Sequence, residues 1–108
     1  MASREAVVAY ILDQIGGAGD VSSRKMFGEY AIYHGEKIVA LVCDDQLYVK
    51  PTDAGKAFIG KYEEAPPYPS AKNHLLISGE KWDDGEWLSR LLAITAADLP
   101  APTKKKKR

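Results

Sequence analysis

Cysteine and histidine are scarce in this sequence, and their scarcity excludes several kinds of chemistry. The 108 residues include one cysteine, Cys43, and two histidines, His34 and His74. A lone cysteine rules out an intramolecular disulfide and a multi-cysteine metal site, and it favours a reducing compartment. Neither histidine has a cysteine or carboxylate at metal-ligand spacing. We therefore expect no metal site and a cytoplasmic location.

Long apolar runs and the common catalytic motifs are missing as well. The longest apolar runs, residues 6–12 and 38–43, are far too short to cross a bilayer, and no signal peptide opens the chain. The glycines form neither a phosphate-binding loop nor a dinucleotide fingerprint, and Ser22 and Ser23 lack a nucleophile elbow. These absences predict no membrane insertion, no cofactor and no enzyme activity.

Acidic pairs are present at residues 44–45, 63–64 and 83–84, but each pair consists of sequence neighbours. A general acid and base usually come from separated positions around a cleft, so turns and helix caps are sufficient roles for these pairs. Cys43 ends an apolar run, which favours a small buried hydrophobic residue over a reactive thiol.

The net charge is zero because a basic C-terminus balances an acidic body. Lys and Arg number 15, as do Asp and Glu. The last five residues are all basic: Lys104, Lys105, Lys106, Lys107 and Arg108. Residues 1–103 therefore carry 10 basic and 15 acidic side chains, a net charge of −5. An acidic body repels phosphate backbones, so the tail either binds DNA or RNA non-specifically or stays solvated.

The composition is that of one soluble globular domain. Hydrophobic residues make up 45% of the chain and charged residues 28%, which is close to the average for such domains. At this length there is room for one domain, which we assign to residues 1–99, followed by a flexible basic tail at residues 100–108.

Amphipathic helices are predicted near both ends of the chain. Apolar residues recur at helical spacing in two segments: Val8, Ile11, Leu12 and Ile15 in the first, and Trp87, Leu88, Leu91 and Leu92 in the last. Ser3 is the expected cap of the first helix, and Asp83 or Asp84 that of the last. Pro51-Thr52-Asp53 predicts the start of a short third helix.

Three aromatic and β-branched runs, residues 27–33, 37–43 and 46–50, predict an antiparallel meander after a loop at residues 16–23. Residues 63–72 hold three prolines and predict a loop or at most an edge strand, and residues 74–78 predict a further strand. The fold class is therefore α+β, with a sheet of four to five strands and three flanking helices in the order α-β-β-β-α-β-(β)-α.

The run at residues 38–43 is apolar on both faces of the predicted strand, which means that something covers both sides of the sheet. Two arrangements are consistent with this pattern. In one, the helices are divided between the two faces. In the other, the helices lie on one face and a second copy of the protein covers the other, which would make a homodimer.

An ordered set of motif residues runs through the centre of the chain. Its members are Arg24, Met26, Phe27, Gly28, Tyr30, Tyr33, Gly35, Leu47, Tyr48 and Lys50. Phe58, the proline-rich residues 65–69 and the segment 83–88 continue the pattern, so that it covers about residues 20–98. In order and spacing, this set resembles the N-terminal domain of the TfoX/Sxy family of competence regulators.

The resemblance implies a fold and a function. It implies a strongly bent antiparallel sheet with flanking helices, similar to secretion-chaperone-like domains, in which the motif residues are mainly structural. It also implies a non-enzymatic regulatory or adaptor domain that contacts proteins of the transcription machinery. The regulators proper have a second, C-terminal domain, so this chain looks like a stand-alone form of the N-terminal domain.

Direct nucleic-acid binding by the folded domain is the alternative function. Arg24, Lys25 and Lys50 lie among Tyr30, Tyr33 and Tyr48 on neighbouring predicted strands. Cations interleaved with aromatic rings are typical of stacking platforms for single-stranded nucleic acid. In this alternative, these side chains form the binding face and the basic tail adds affinity.

Overall fold

The computed structural model describes residues 5–26 and 29–100. Within them, six strands form one antiparallel sheet: β1 (Val21–Met26), β2 (Glu29–His34), β3 (Lys37–Cys43), β4 (Gln46–Val49), β5 (Glu63–Ala65) and β6 (His74–Ile77). Their order across the sheet is β1-β2-β3-β4-β6-β5, so β1 and β5 form the two edges. The predicted α+β class with an antiparallel sheet is confirmed.

Four helices accompany the sheet: α1 (Glu5–Gln14), α2 (Asp53–Ile59), α3 (Gly79–Trp82) and α4 (Gly85–Asp98). The caps follow local chemistry. The side chain of Thr52 accepts a hydrogen bond from the Gly55 amide at 3.0 Å, and the Asp84 carboxylate accepts one from the Trp87 amide at 3.1 Å. Of the two acidic residues that the sequence offered, the cap is therefore Asp84. The predicted cap Ser3 lies outside the described residues.

The expected number of four to five strands is too low, and the difference arises mainly at β1. The sequence predicted a loop at residues 16–23 and a strand beginning at Phe27, whereas β1 begins at Val21 and β2 at Glu29. Polar side chains dominate β1, so its β propensity is low, and its extended form depends on pairing with β2. The edge strand that the sequence allowed in the proline-rich segment is present as β5. Helix α3 is also additional to the three predicted helices.

Two short turns set the register of the central hairpins. Asp44 and Asp45 connect β3 to β4, and both have positive φ, 54° and 61°, as a type I′ turn requires. Gly35 begins the turn between β2 and β3 with φ 63°. Asp tolerates this left-handed region and Gly occupies it without steric cost, so the turn chemistry suits the right-handed twist of the strands.

The helices lie together on one face of the sheet. Helix α4 contacts α1, α2 and α3, and it also packs on β2 and β3. The buried core joins apolar residues of α1, of the residue after it and of α4 to alternate residues of the strands: Val8, Ile11, Ile15, Leu88, Leu91, Leu92, Ile32, Ala40, Val42, Leu47, Val49, Leu75 and Ile77. Of the two arrangements that the apolar run in β3 allowed, the division of helices between both faces is therefore wrong.

A bulge in the β2–β3 pairing adds one more residue to the core. The register shifts between Ile32 and Tyr33, so that Val39 is an additional residue on β3. Val39 and its neighbour Ala40 both belong to the buried core. The bulge turns Val39 toward the core, whereas strict alternation would place it on the opposite face from Ala40. This explains part of the continuous apolar run in the sequence.

Polar side chains form hydrogen bonds between the sheet and the helix side of the domain. The Lys37 ammonium donates to the carbonyls of Ala96 and Leu99 at 2.7 and 2.9 Å, which satisfies the C-terminal end of α4. The ring of His34 lies 2.7 Å from the carbonyl of Ala18.

No helix within residues 5–26 and 29–100 is long and apolar enough to cross a membrane.

Candidate interaction site on the open face of the sheet

The face of the sheet opposite the helices carries a row of six side chains, one from each strand. Directly paired residues in antiparallel strands share a face, so the register connects them. In the order of the strands, the row consists of Arg24, Ala31, Leu41, Tyr48, Leu76 and Glu63. Its four inner members are aliphatic or aromatic, and its two ends carry opposite charges. We call this set the open row, and the sheet face that bears it the open face.

The strand neighbours of the open row identify its face. Residues flanking its inner members, such as Ile32, Ala40, Leu47 and Leu75, belong to the core that holds the helices. Because side chains alternate along a strand, the row points away from the helices. None of its six members belongs to that core cluster.

Exposure varies along the open row. Arg24 and Glu63 are exposed, and Leu41 and Leu76 are partly exposed. Ala31 is fully buried and Tyr48 is 7% exposed. Burial raises the pKa of the Tyr48 phenol, and the nearby Cys43, Asp44 and Glu29 raise it further, so this hydroxyl is neutral at physiological pH.

A second pair of side chains extends the open face beside the row. Tyr33 pairs with Ile38 across β2 and β3, and both are partly exposed. The guanidinium of Arg24 lies 5.6 Å from the centre of the Tyr33 ring, a cation–π geometry. This contact restrains the Arg24 side chain at the β1 edge and covers part of the Tyr33 ring.

Cys43 also lies on the open face, two residues beyond Leu41 on β3. Its side chain is buried, with 2% of the residue exposed, as the sequence predicted. Burial, followed by the carboxylates of Glu29 and Asp44, raises the pKa of the Cys43 thiol to about 11. The thiol is therefore protonated at neutral pH and is a poor nucleophile.

The structure separates the residues that the sequence proposed for nucleic-acid contact. Arg24 lies on the open face. Lys50 follows the end of β4, and its amide donates to the Val39 carbonyl at 2.9 Å. Its side chain lines a pocket together with Lys37 and Leu99, at the C-terminal end of α4. Lys25 pairs with Tyr30, and Tyr30 belongs to the core, so both lie on the helix side. Residues Lys104, Lys105, Lys106, Lys107 and Arg108 lie outside the described residues.

The remaining motif residues that the structure describes occupy strand or turn positions with structural roles. Leu47 and Tyr30 are buried in the core, and Gly35 occupies a turn at positive φ. The strand β1 includes Met26, while Phe27 and Gly28 lie outside the described residues. The sequence did not single out Leu41, Leu76 or Glu63 for the site, because only strand pairing places them in one row.

Neither histidine is placed for metal binding in the described part of the chain. The ring of His34 contacts a backbone carbonyl, and Nδ1 of His74 lies 3.0 Å from the Lys72 carbonyl. The described residues contain no group of three or more histidine, cysteine or carboxylate side chains that could hold a metal ion.

The fold and the open face define a small antiparallel α+β domain with a helix layer on one side of its sheet. Residues 13–98 match the TfoX N-terminal domain, a segment that takes in the whole sheet together with α2, α3 and α4. The chain belongs to the TfoX N-terminal domain family, which is a family of regulatory domains.

A relative of similar length shares most of this chain. The chain is 40% identical over 106 residues to an uncharacterised 12.7 kDa protein of the trpE 5′ region from Spirochaeta aurantia. The alignment covers 98% of this chain and 91% of that protein.

Proposed function

We propose that this chain is a non-enzymatic regulatory adaptor that acts in the cytoplasm through protein contacts made by its open face. The observation that carries the proposal is the open row, which places Leu41 and Leu76 partly exposed on a sheet face that the core helices do not occupy. Partly exposed leucines on a sheet face without helices favour a protein contact.

The charges at the ends of the open row add specificity to such a contact. Arg24 and Glu63 are exposed at opposite edges of the sheet, so a partner is oriented by its own charges. The transcription machinery is the class of partner that the resemblance to the TfoX/Sxy regulators implies. In this proposal the tail, Lys104–Arg108, adds weak affinity for nucleic acid.

Site-specific photo-cross-linking in cells tests the proposal. A photoreactive amino acid is placed at residue 41, on the open face, or at residue 90, an exposed position on α4. We expect a cross-link to a component of the transcription machinery from residue 41 and none from residue 90. Cross-links to that machinery from residue 90 alone, or from neither position, would contradict the proposal.

Direct nucleic-acid binding by the open face is the second candidate, and one observation favours it. Arg24 and Tyr33 share that face, with the Arg24 guanidinium 5.6 Å from the Tyr33 ring centre. Against it, Tyr48 is only 7% exposed and the carboxylate of Glu63 ends the row. A base stacks on an accessible aromatic face, and a nearby carboxylate repels phosphate.

Fluorescence anisotropy with labelled single-stranded and duplex DNA separates the two candidates. If the tail alone binds, replacing the five basic residues 104–108 by glutamine abolishes binding, and Arg24→Ala leaves it intact. Binding that survives the tail replacement and is lost in Arg24→Ala would establish the second candidate.

A further inference from the structure

The two charged ends of the open row are too far apart to neutralise each other within one chain. Arg24 lies on the edge strand β1 and Glu63 on the opposite edge strand β5. Five strand spacings of about 4.8 Å separate these edges by about 24 Å. A complementary surface therefore needs an acidic group, an apolar stretch and a basic group, in that order and at that spacing.

A second copy of this chain supplies that surface. If a two-fold axis runs parallel to the strands between two facing sheets, the row of one copy lies against the reversed row of the other. Arg24 then faces Glu63 at both ends of the contact. Between them, the small Ala31 faces Leu76, and Leu41 faces Tyr48.

We propose that the open face binds a second copy of this chain through the open row, with Arg24 against Glu63 at each end. The inference rests on the proposed function, because it uses the same contact face, for which a second copy and the regulatory partner then compete. The resulting dimer has two sheets inside and two helix layers outside. That arrangement covers both faces of β3, whose apolar residues Leu41 and Val42 point in opposite directions.

The dimensions of the face indicate the strength of the dimer. A sheet about 24 Å wide with strands of up to about 20 Å has a flat footprint of about 500 Å². A stable interface usually buries about 800 Å² on each partner, so we expect a concentration-dependent dimer. The contact of Arg24 with Tyr33 restrains the arginine before association, which lowers the entropic cost of the rim pair.

Sedimentation equilibrium of the full chain, from low micromolar to millimolar concentration, measures the association. Arg24→Glu alone and Glu63→Arg alone each place like charges at both ends of the row, and each is expected to weaken dimerisation about tenfold or more. A mixture of these two variants restores opposite charges at both ends. We therefore expect the mixture to form a mixed dimer at close to wild-type strength.

Matched charge reversals on the helix layer control for net charge. Arg90→Glu and Glu86→Arg alter an exposed pair, with 3.8 Å between Arg90 Nη2 and Glu86 Oε2, on α4. Both are expected to dimerise like the wild type. Circular dichroism confirms that each variant is folded.

Three results would overturn the inference: a monomer at every concentration, a dimer insensitive to both reversals on the open row, or a dimer strengthened by Arg24→Glu. The last result would show that Arg24 does not face a carboxylate in the dimer. Cross-linking from residue 41 tests the proposed function independently of the dimer, because a monomer can still cross-link to another protein. Conversely, a self-cross-link alone would support the dimer and contradict the proposed transcription partner.

Discussion

Two buried threonines between α2 and α4 are expected to respond with opposite sign to the same substitution. Thr52 is 7% exposed and its hydroxyl caps α2 by accepting from the Gly55 amide. Thr95 on α4 is fully buried, and its hydroxyl has no hydrogen-bond partner in the part of the chain that the structure describes. Thr95→Val should stabilise the protein, and Thr52→Val should destabilise it.

The magnitudes follow from the two environments. An unsatisfied buried hydroxyl costs about 1–3 kcal/mol, while Val has nearly the volume and helix propensity of Thr, so Thr95→Val is expected to add about 1 kcal/mol. Loss of an N-cap side chain costs about 1 kcal/mol, and Thr52→Val also leaves the Gly55 amide without its partner. Each change of about 1 kcal/mol shifts the Tm by about 4–8 °C in a domain of this size.

Thermal and urea unfolding, monitored by circular dichroism, measure both variants. Thr95→Ser is the control, since it keeps the hydroxyl and removes a methyl group, and it should lower stability. A Thr95→Val variant that is neutral or less stable would refute the reasoning, because the hydroxyl would then have a partner. The double variant tests whether the two threonines are hydrogen-bonded to each other. Both hydroxyls lie near Gly55, since a Cβ at that residue would lie 2.9 Å from Thr52 Oγ1 and 3.4 Å from Thr95 Oγ1. A hydrogen bond between them would make the effects of the two substitutions non-additive.

Three further predictions concern a turn, the thiol and the tail. Gly35→Ala should lower the free energy of unfolding by about 1 kcal/mol in urea denaturation. The added Cβ meets open space, so the cost comes from the backbone, whose φ of 63° disfavours a side chain. Gly16→Ala also places its Cβ in open space; it is the control and should be nearly neutral. Cys43 should react slowly with a disulfide reagent at pH 8 in the native protein and rapidly after denaturation. Folding raises the pKa of this thiol from 9.0 to about 11. The contribution of the protonated thiol to stability is therefore complete below pH 9 and is lost as the pH rises through 11. Equal native and denatured rates at pH 8 would contradict the buried thiol. DNA affinity conferred by residues 104–108 should fall with salt with a log–log slope no steeper than about −4.5, as five phosphate contacts allow, and a steeper slope would require contacts from the folded domain.

Several elements could be predicted from the sequence because short-range patterns determine them. Strand β3 has its predicted bounds, Lys37–Cys43, since an apolar β-branched run lies between two turns. Helix α2 begins after Thr52, and α4 begins after Asp84, since a capping side chain needs only the amide three residues ahead. The positive φ of Gly35, Asp44 and Asp45 likewise follows from residue types that favour tight turns.

The tertiary structure decided the rest, because those features depend on pairing between distant segments. Strand β1 is extended only beside β2, and the short β5 only beside β6. The motif residues Arg24 and Tyr33 share a face with Leu76 and Glu63, while Lys25 lies on the other side. Sequence alternation shows that two residues of one strand share a face, but only the register and the side on which the helices pack determine which face stays open.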